Sequence, residues 1–201
     1  MPSIYDLKPR FQALLRPGVR WLARKGVTAN QVTLSACAAS IALGISLCIR
    51  PDWMIVLPAF LFARMALNAV DGMLAREFGQ KSRLGAYLNE ITDVVADSFL
   101  YLPFAYLPPF DPLWVGAVIV LAVISEMSGV VGIMTGASRR YDGPMGKSDR
   151  AFIFGAMALW IGLGGDVSLL VGEWFPRVVA LLLAVTIVNR VKKGLAEVAP
   201  L

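Results

Sequence analysis

The residues best suited to chemistry are acidic and amide side chains in one short part of an otherwise apolar chain. An ionisable side chain at membrane depth costs several kcal/mol, so such residues are normally kept for a function. Carboxylate and amide oxygens are the ligands preferred by hard divalent cations such as Mg²⁺ and Mn²⁺, and Mg²⁺ often shares its ligands with phosphate. We therefore interpret this region as a candidate cation site, whose members are Asn68, Asp71, Asn89, Glu90, Asp93 and Asp97.

The spacing of these residues predicts two polar stripes on neighbouring helices. Asn68 and Asp71 lie three residues apart, and therefore on the same face of a helix. On the next predicted helix, a small or polar residue recurs at every fourth position from Gly85 to Asp97. Because the connection 77–83 is short, the two helices are expected to be antiparallel neighbours that bury both stripes against each other. Their cytoplasmic halves would then form one acidic pocket.

Cationic residues flank the predicted pocket, and histidine is absent from the chain. Arginine and lysine supply the charge that a phosphate group needs. Without imidazole, any proton transfer must use a carboxylate, Tyr, Lys, Cys or water. An acidic pocket with a basic rim indicates metal-bridged phosphate chemistry, and the candidate rim residues are Arg76, Arg139, Arg140, Lys147 and Arg150.

The composition predicts an all-α integral membrane protein. Of the 201 residues, 57% are hydrophobic and 16% are charged, which is rare in a soluble protein of this size. We predict a single domain over 1–201, with an interfacial helix at 1–28 and a six-helix bundle at 30–193. The six predicted transmembrane helices are Val32–Ile49, Trp53–Arg76, Leu84–Leu107, Leu113–Met134, Ala151–Leu163 and Ser168–Val191.

The basic residues predict how the chain lies in the membrane. If the N-terminus is cytoplasmic, sixteen of the 19 Lys and Arg residues fall on the cytoplasmic side and two, Arg50 and Arg177, on the other. We therefore expect a multi-pass protein of the bacterial inner membrane with both termini in the cytoplasm. The net charge of +5 is better explained by topology and anionic lipids than by nucleic acid.

The first 25 residues alternate apolar and basic side chains at helical spacing. This pattern predicts an amphipathic helix lying along the cytoplasmic leaflet. Thr28 or Asn30 is expected to cap the first span. Within the spans, Glu126 is expected to be a buried partner for Arg64 or a polar bridge between helices.

The order Asp71-Gly72-x2-Ala75-Arg76-x8-Gly85-x3-Asn89-x3-Asp93 resembles the signature of the CDP-alcohol phosphotransferases, integral membrane enzymes that make phospholipids. The family pattern is D-x2-D-G-x2-A-R-x8-G-x3-D-x3-D, and its fixed gaps make it specific. The resemblance extends to the amphipathic N-terminus, to Val27–Thr33 and to Gly146–Arg150. It points to a bacterial branch of the family with Asn at two of the usual Asp positions.

The resemblance implies transfer of a phosphatidyl group from CDP-diacylglycerol to an alcohol, with release of CMP, by a homodimer that uses Mg²⁺ or Mn²⁺. It assigns Asp93 as the base for the alcohol proton and as a metal ligand. It assigns Lys147 and Arg150, with the neighbouring Arg139 and Arg140, to phosphate of the lipid or of the acceptor. The CDP moiety would contact Asp71, Gly72, Ala75, Arg76 and Gly85.

The chain departs from the family pattern at two metal-binding positions. The first and third Asp of the pattern are Asn68 and Asn89 here, which removes two negative charges. Glu90 and Asp97 are candidates to compensate, and we expect one firm metal ion rather than two. Three alternatives stay open: another CDP-linked donor, a catalytically inactive protein, or a cation or proton transporter.

Overall fold

The computed structural model describes residues 4–198, and every regular element within that range is a helix. The α-helices are α1 (Ile4–Arg24), α2 (Ala29–Ile49), α3 (Val56–Glu77), α4 (Arg83–Tyr101), α5 (Pro112–Met134), α6 (Lys147–Gly162) and α7 (Leu169–Glu197). Two short 3₁₀ helices are also present: Pro51–Ile55 precedes α3, and Leu102–Tyr106 follows α4.

Each of the six predicted spans contains a helix, but among the described residues four helical segments are long and apolar enough to cross a membrane. These are α2, α5, α7 and the continuous stretch Pro51–Glu77 that contains α3. The 16 residues of α6 extend about 24 Å, shorter than a typical hydrocarbon core. The 19-residue helix α4 contains several charged residues. A multi-pass architecture therefore stands, and the count of six spans stays a prediction.

Polar side chains begin several of the helices. The hydroxyl of Thr28 accepts a hydrogen bond from the backbone N–H of Gln31, whose side chain accepts one from the N–H of Thr28. This reciprocal arrangement satisfies two donors at the start of α2. The predicted capping role of Thr28 is therefore confirmed. Ser82 begins α4 in a similar way, through a bond from the N–H of Gly85.

The helices pack around two apolar clusters. In the larger one, the ring of Tyr101 stacks on Phe154 with centroids 4.2 Å apart, and Phe104 meets the same ring edge-on. This contact joins the end of α4 to α6. Helix α2 packs closely on α4, because a side chain at Gly44 would collide with the backbone of Phe99. These contacts hold α4 against α6 on one side and against α2 on another.

The smaller cluster joins α1 to α2 and α3. Val19 is fully buried against this cluster, and Leu15 and Leu22 pack around it. Leu14 and Trp21, by contrast, are exposed. The side chains of residues 4–10, which include part of the predicted apolar stripe, lie outside the described residues. The amphipathic, interfacial character of α1 therefore stays a prediction.

Candidate active site at the junction of α3, α4 and α6

Asp71 is buried on α3 and is held by a residue of α2. Its side chain accepts a hydrogen bond from the hydroxyl of Thr33, with 2.7 Å between Oγ1 and Oδ2. Asp71 is 5% exposed and Thr33 is 8% exposed. A buried carboxylate needs such a partner. Thr33 therefore fixes the orientation of the acidic residue on which the family signature is centred.

The side chain of Asp93 on α4 contacts residues of both α3 and α6. Its Oδ1 atom lies 3.3 Å from the amide nitrogen of Asn68 on α3, which donates a hydrogen bond to it. The same oxygen lies 2.5 Å from Nζ of Lys147 at the start of α6, and 3.3 Å from a guanidinium nitrogen of Arg64. Arg64 also donates to the backbone carbonyl of Asp93 at 3.1 Å. The two predicted stripes thus face each other, as the spacing of Asn68 and Asp93 indicated.

All the side-chain contacts of Asp93 fall on one oxygen. Among the side chains of residues 11–198, no hydrogen bond is donated to Oδ2, and the closest approach of both Lys147 and Arg64 is to Oδ1. The carboxylate is partly exposed, with 21% of the side chain accessible. Asp93 is therefore oriented by three neighbours and retains one oxygen that is available to a substrate proton.

Asp97 lies one turn deeper and is enclosed by arginines. Oδ1 accepts a hydrogen bond from Arg64 at 2.5 Å, and Oδ2 accepts one from Arg150 at 3.0 Å. All three side chains are buried. Both oxygens of Asp97 are thus engaged, and the residue joins α3, α4 and α6 through buried ion pairs.

Glu126 on α5 is the centre of a second group of charges. Its carboxylate lies 3.1 Å from Arg150, 3.5 Å from Arg190 and 3.5 Å from Arg139. Arg139 also pairs with Glu90 at 2.5 Å. The predicted polar bridge between helices is confirmed, whereas the suggested partnership with Arg64 is wrong. Arg64 binds α4 instead, because Asp93 and Asp97 of that helix lie beside it.

The candidate CDP-binding residues lie at the ends of α3 and α4. Arg76 is exposed and folds back along α3, so that a Cβ atom at Gly72 would lie 2.7 Å from its guanidinium group. Gly72 therefore provides space for the Arg76 side chain. A Cβ atom at Gly85 would lie 2.9 Å from the side-chain oxygen of Asn30. Ala75 is partly buried beside Arg76.

The basic residues of the α5–α6 connection and of the first turn of α6 have different surroundings. Lys147 is partly exposed and contacts Asp93. Arg150 is fully buried. Arg140 pairs with Asp142 at 2.7 Å and also with Glu197, at some remove from the acidic pocket. Lys147 beside Asp93 and Arg139 beside Glu90 are cations at the acidic pocket whose side chains are partly accessible.

The carboxylate and amide oxygens of the acidic pocket are of the type that binds a divalent metal ion, although they do not surround a common centre. Among the side chains that the structure describes, no group of three or more Asp, Glu, Cys or His residues is placed to hold a metal. Asn68 nevertheless contacts Asp93, and Asp71 lies one turn from Asn68. Asn89 is partly buried one turn before Asp93. Two carboxylates and two amides are suitable ligands for Mg²⁺ or Mn²⁺, provided that Lys147 moves from Asp93.

Three charged residues of this site, Arg64, Glu126 and Arg190, were not among the candidate site residues from sequence. The signal that could have identified them is an ionisable residue within an apolar span, which requires a buried partner. Thr33 carries no comparable signal, because a hydroxyl in a helix is usually satisfied by its own backbone. Its bond to Asp71 depends on the packing of α2 on α3.

Comparison with known proteins agrees with this fold and site. A sequence model described as CDP-alcohol phosphatidyltransferase matches residues 26–189. The chain is 46% identical over 163 residues to the inner membrane protein YnbA of Escherichia coli, covering 80% of this chain and 81% of YnbA. It is 33% identical over 147 residues to the archaetidylinositol phosphate synthase of Aeropyrum pernix, covering 72% and 74% of the two chains.

Solved structures share the same arrangement of helices. The phosphatidylinositol phosphate synthase of Mycobacterium tuberculosis in complex with manganese and citrate has a TM-score of 0.75 over 92% of each chain, at 21% identity. The same enzyme with CDP-DAG bound has a TM-score of 0.70, at 22% identity, over 89% of this chain and 92% of that one. At this level of identity the likeness concerns the fold.

Together, the helices define a multi-pass membrane protein, and the family match adds the class of phospholipid-synthesising transferases. The match over residues 26–189 places it more narrowly, because the chain belongs to the CDP-alcohol phosphatidyltransferase family. The resemblance predicted from the signature at 71–93 is thereby confirmed.

Proposed function

We propose that this protein transfers a phosphatidyl group from CDP-diacylglycerol to an alcohol, with release of CMP, in a reaction that requires Mg²⁺ or Mn²⁺. The observation that carries the proposal is the meeting of Asn68, Asp93 and Lys147 at the position of the family signature. The relatives agree with this reading, since one solved structure contains manganese and another contains CDP-DAG.

In this proposal, Asp93 is the general base. The free Oδ2 atom accepts the proton of the acceptor hydroxyl while the hydroxyl oxygen attacks the phosphorus that bears diacylglycerol. The bond from that phosphorus to the CMP oxygen breaks, and CMP leaves. Asn68 and Arg64 hold the other oxygen of Asp93, which aims the base. A positioned base contributes about 10²–10⁴-fold to such a rate.

Cations at the site compensate the charge of the phosphates. Lys147 lies beside Asp93 and is suited to move onto a phosphate oxygen of the donor. Arg76 and the space at Gly72, with Asp71, Ala75 and Gly85, would hold the CDP moiety. Phosphoryl transfer depends mainly on such positioning and charge compensation.

A divalent ion would be held by Asp71 and Asp93, with Asn68 and Asn89 as neutral oxygen ligands. When bound, the ion neutralises charge on the phosphate oxygens. Glu90 could bind the ion only by breaking its ion pair with Arg139. Asp97 could bind it only by breaking its ion pairs with Arg64 and Arg150. One firmly held metal ion therefore remains our expectation.

The wider organisation is part of the same proposal. We place the protein in the bacterial inner membrane with six crossings, both termini in the cytoplasm and α1 along the inner leaflet. The residues form one domain, and the working unit is a homodimer. YnbA, to which the chain is similar, is itself described as an inner membrane protein.

The proposal is tested by following CMP release from CDP-diacylglycerol by the purified protein, with and without Mg²⁺ or Mn²⁺. We expect metal-dependent release in the wild type and its loss in Asp71→Ala and Asp93→Ala. Asp52→Ala is the matched control, because Asp52 is an exposed partner of Arg50 away from the site. If CMP is released only from a different CDP-alcohol, that compound is the donor instead of CDP-diacylglycerol. Metal-independent ion flux without CMP release would favour a transporter. The absence of both CMP release and ion flux would indicate an inactive protein.

A further inference from the structure

Three arginines from separate segments converge on the carboxylate of Glu126. Arg139 comes from the α5–α6 connection, Arg150 from α6 and Arg190 from α7, and each lies within 3.5 Å of a Glu126 oxygen. Glu126, Arg150 and Arg190 are 9%, 0% and 2% exposed. Several guanidinium groups around one anion form the kind of site that binds phosphate. In this protein the anion is part of the chain.

The arginines around Glu126 are already paired with carboxylates. Arg139 has a second partner in Glu90, and Arg150 has a second partner in Asp97, which also pairs with Arg64. A phosphate dianion entering this group would have to approach the carboxylate of Glu126, which already lies between the three guanidinium groups. Repulsion between these negative charges is costly at low local dielectric.

This group of charges lies directly beside the proposed base. Glu90 precedes Asp93 by one turn of α4, and Arg150 follows Lys147 by one turn of α6. Lys147 itself contacts Asp93. An acceptor whose hydroxyl reaches Asp93 would therefore have its remaining groups close to Glu126 and the surrounding arginines.

The same group retains donors that suit uncharged ligands. The Nε atoms of Arg139 and Arg150 and the hydroxyl of Ser125 are buried without a hydrogen-bond partner among the described residues. Unsatisfied buried donors are uncommon and call for a partner. A hydroxyl or carbonyl oxygen can accept from them without adding charge.

We propose that Glu126 fills, with its own carboxylate, the anion site formed by Arg139, Arg150 and Arg190, so that the acceptor alcohol carries no phosphate. This inference rests on the proposed function and narrows its substrate to uncharged alcohols such as polyols. Glu126 is then a specificity-determining residue, because removing its charge would open the three arginines to a phosphorylated acceptor.

The local part of this inference is tested by binding of inorganic phosphate, without any turnover. The thermal unfolding midpoint of the protein in detergent is measured in sodium phosphate and in sodium chloride of equal ionic strength. We expect phosphate to raise the midpoint of Glu126→Gln by about 3 °C or more, and to leave the wild type and Glu126→Asp unchanged. Glu173→Gln is the matched control, since Glu173 pairs with Arg177 away from the three arginines. Equal stabilisation of the wild type and Glu126→Gln, or of neither, would overturn the proposal.

The substrate part is tested by comparing glycerol with glycerol 3-phosphate, and inositol with inositol phosphate, as acceptors in the CMP-release assay. We expect the wild type to prefer the uncharged member of a pair by at least about tenfold, and Glu126→Gln to lose or reverse that preference. A wild type that prefers the phosphorylated member contradicts the proposal, even if Glu126→Gln does not fold. Absence of CMP release with every acceptor would refute the proposed function, while the phosphate measurement would still decide the role of Glu126.

Discussion

At the scale of single residues, the two asparagines distinguish this chain from the family signature. Asn68 uses its amide nitrogen to hold Asp93, a donor that an aspartate could not supply. The substitution therefore gives Asp93 a fixed orientation while it lowers the negative charge available to a cation. Asn89 has the same consequence for charge. Metal affinity and the orientation of the base are thus in competition at these positions.

Restoring the acidic residues should strengthen metal binding. In Asn68→Asp/Asn89→Asp, two further carboxylates would face the acidic pocket, and affinity for a hard cation rises with the charge of its ligands. We expect the Mg²⁺ concentration for half-maximal CMP release to fall on the order of tenfold. A titration of each single variant and of the double variant checks this. An unchanged metal requirement would show that positions 68 and 89 lie outside the metal site.

At the scale of helices, buried ion pairs connect the elements that carry the site. Asp97 on α4 holds Arg64 of α3 and Arg150 of α6 at once. Substitution Asp97→Asn would leave two buried guanidinium groups without their shared carboxylate. We expect a loss of about 3–5 kcal/mol in the free energy of unfolding, measured in detergent. Asp52→Asn, which removes an exposed partner of Arg50, should cause little change. Similar small losses in both variants would contradict the structural role of Asp97.

A second connection joins the loop after α5 to α7, and its strength should depend on pH. The ammonium group of Lys193, followed by the guanidinium of Arg140, holds the pKa of Asp142 below its ordinary value. Because the folded state favours the charged carboxylate, the stabilisation is complete above the unfolded pKa and is lost as the pH falls through the lower, folded value. We expect Asp142→Asn to be less stable than the wild type near pH 7.

The difference in unfolding midpoint between Asp142→Asn and the wild type should shrink as the pH falls below about 4. Thermal scans of both proteins over this range provide the measurement. A difference that is independent of pH would indicate that Asp142 stabilises the loop through its shape rather than through its charge.

The part of the site that depends on local periodicity was predictable, and the part that depends on the choice of partners was not. The spacing of residues 68–97 correctly placed Asn68 opposite Asp93, because a short connection leaves two helices few ways to bury polar stripes. The sequence did not identify the partner of Arg64, since Asp93, Asp97 and Glu126 were all acidic residues within spans. Packing of α3 on α4 decides between them. The same limit applies to Thr33, whose bond to Asp71 depends on the position of α2.

At the scale of the whole molecule, the apolar runs of the sequence and the lengths of the described helices lead to different counts of membrane crossings. Within residues 4–198, four segments satisfy the criteria of length and composition, whereas the apolar runs predict six spans. Helices α4 and α6 carry the charged site between the apolar helices, so their polar faces need not meet lipid. Helix α4 is not among the four segments because of its charged residues, and α6 is not among them because it has 16 residues.

Labelling of single cysteines distinguishes the two topologies. In a variant with Cys37 and Cys48 replaced, a cysteine at Ser138 should react from the cytoplasm if α4 and α6 cross, and from the opposite side if only the four apolar segments cross. Cysteines at Asp52 and Lys81 provide outside and inside references. We expect cytoplasmic labelling at positions 81 and 138. Labelling of position 138 from outside would exclude six crossings.

The central claim is that the chain transfers a phosphatidyl group from CDP-diacylglycerol. The most direct test is to measure, in one reaction, the CMP released and the lipid product formed, with the product identified by mass. We predict one new phospholipid for each CMP, with a mass equal to phosphatidic acid plus the alcohol less one water, and a loss of rate of about 10²–10⁴-fold in Asp93→Asn. Product formation that is the same in Asp93→Asn, or CMP release without any new lipid, would contradict the account.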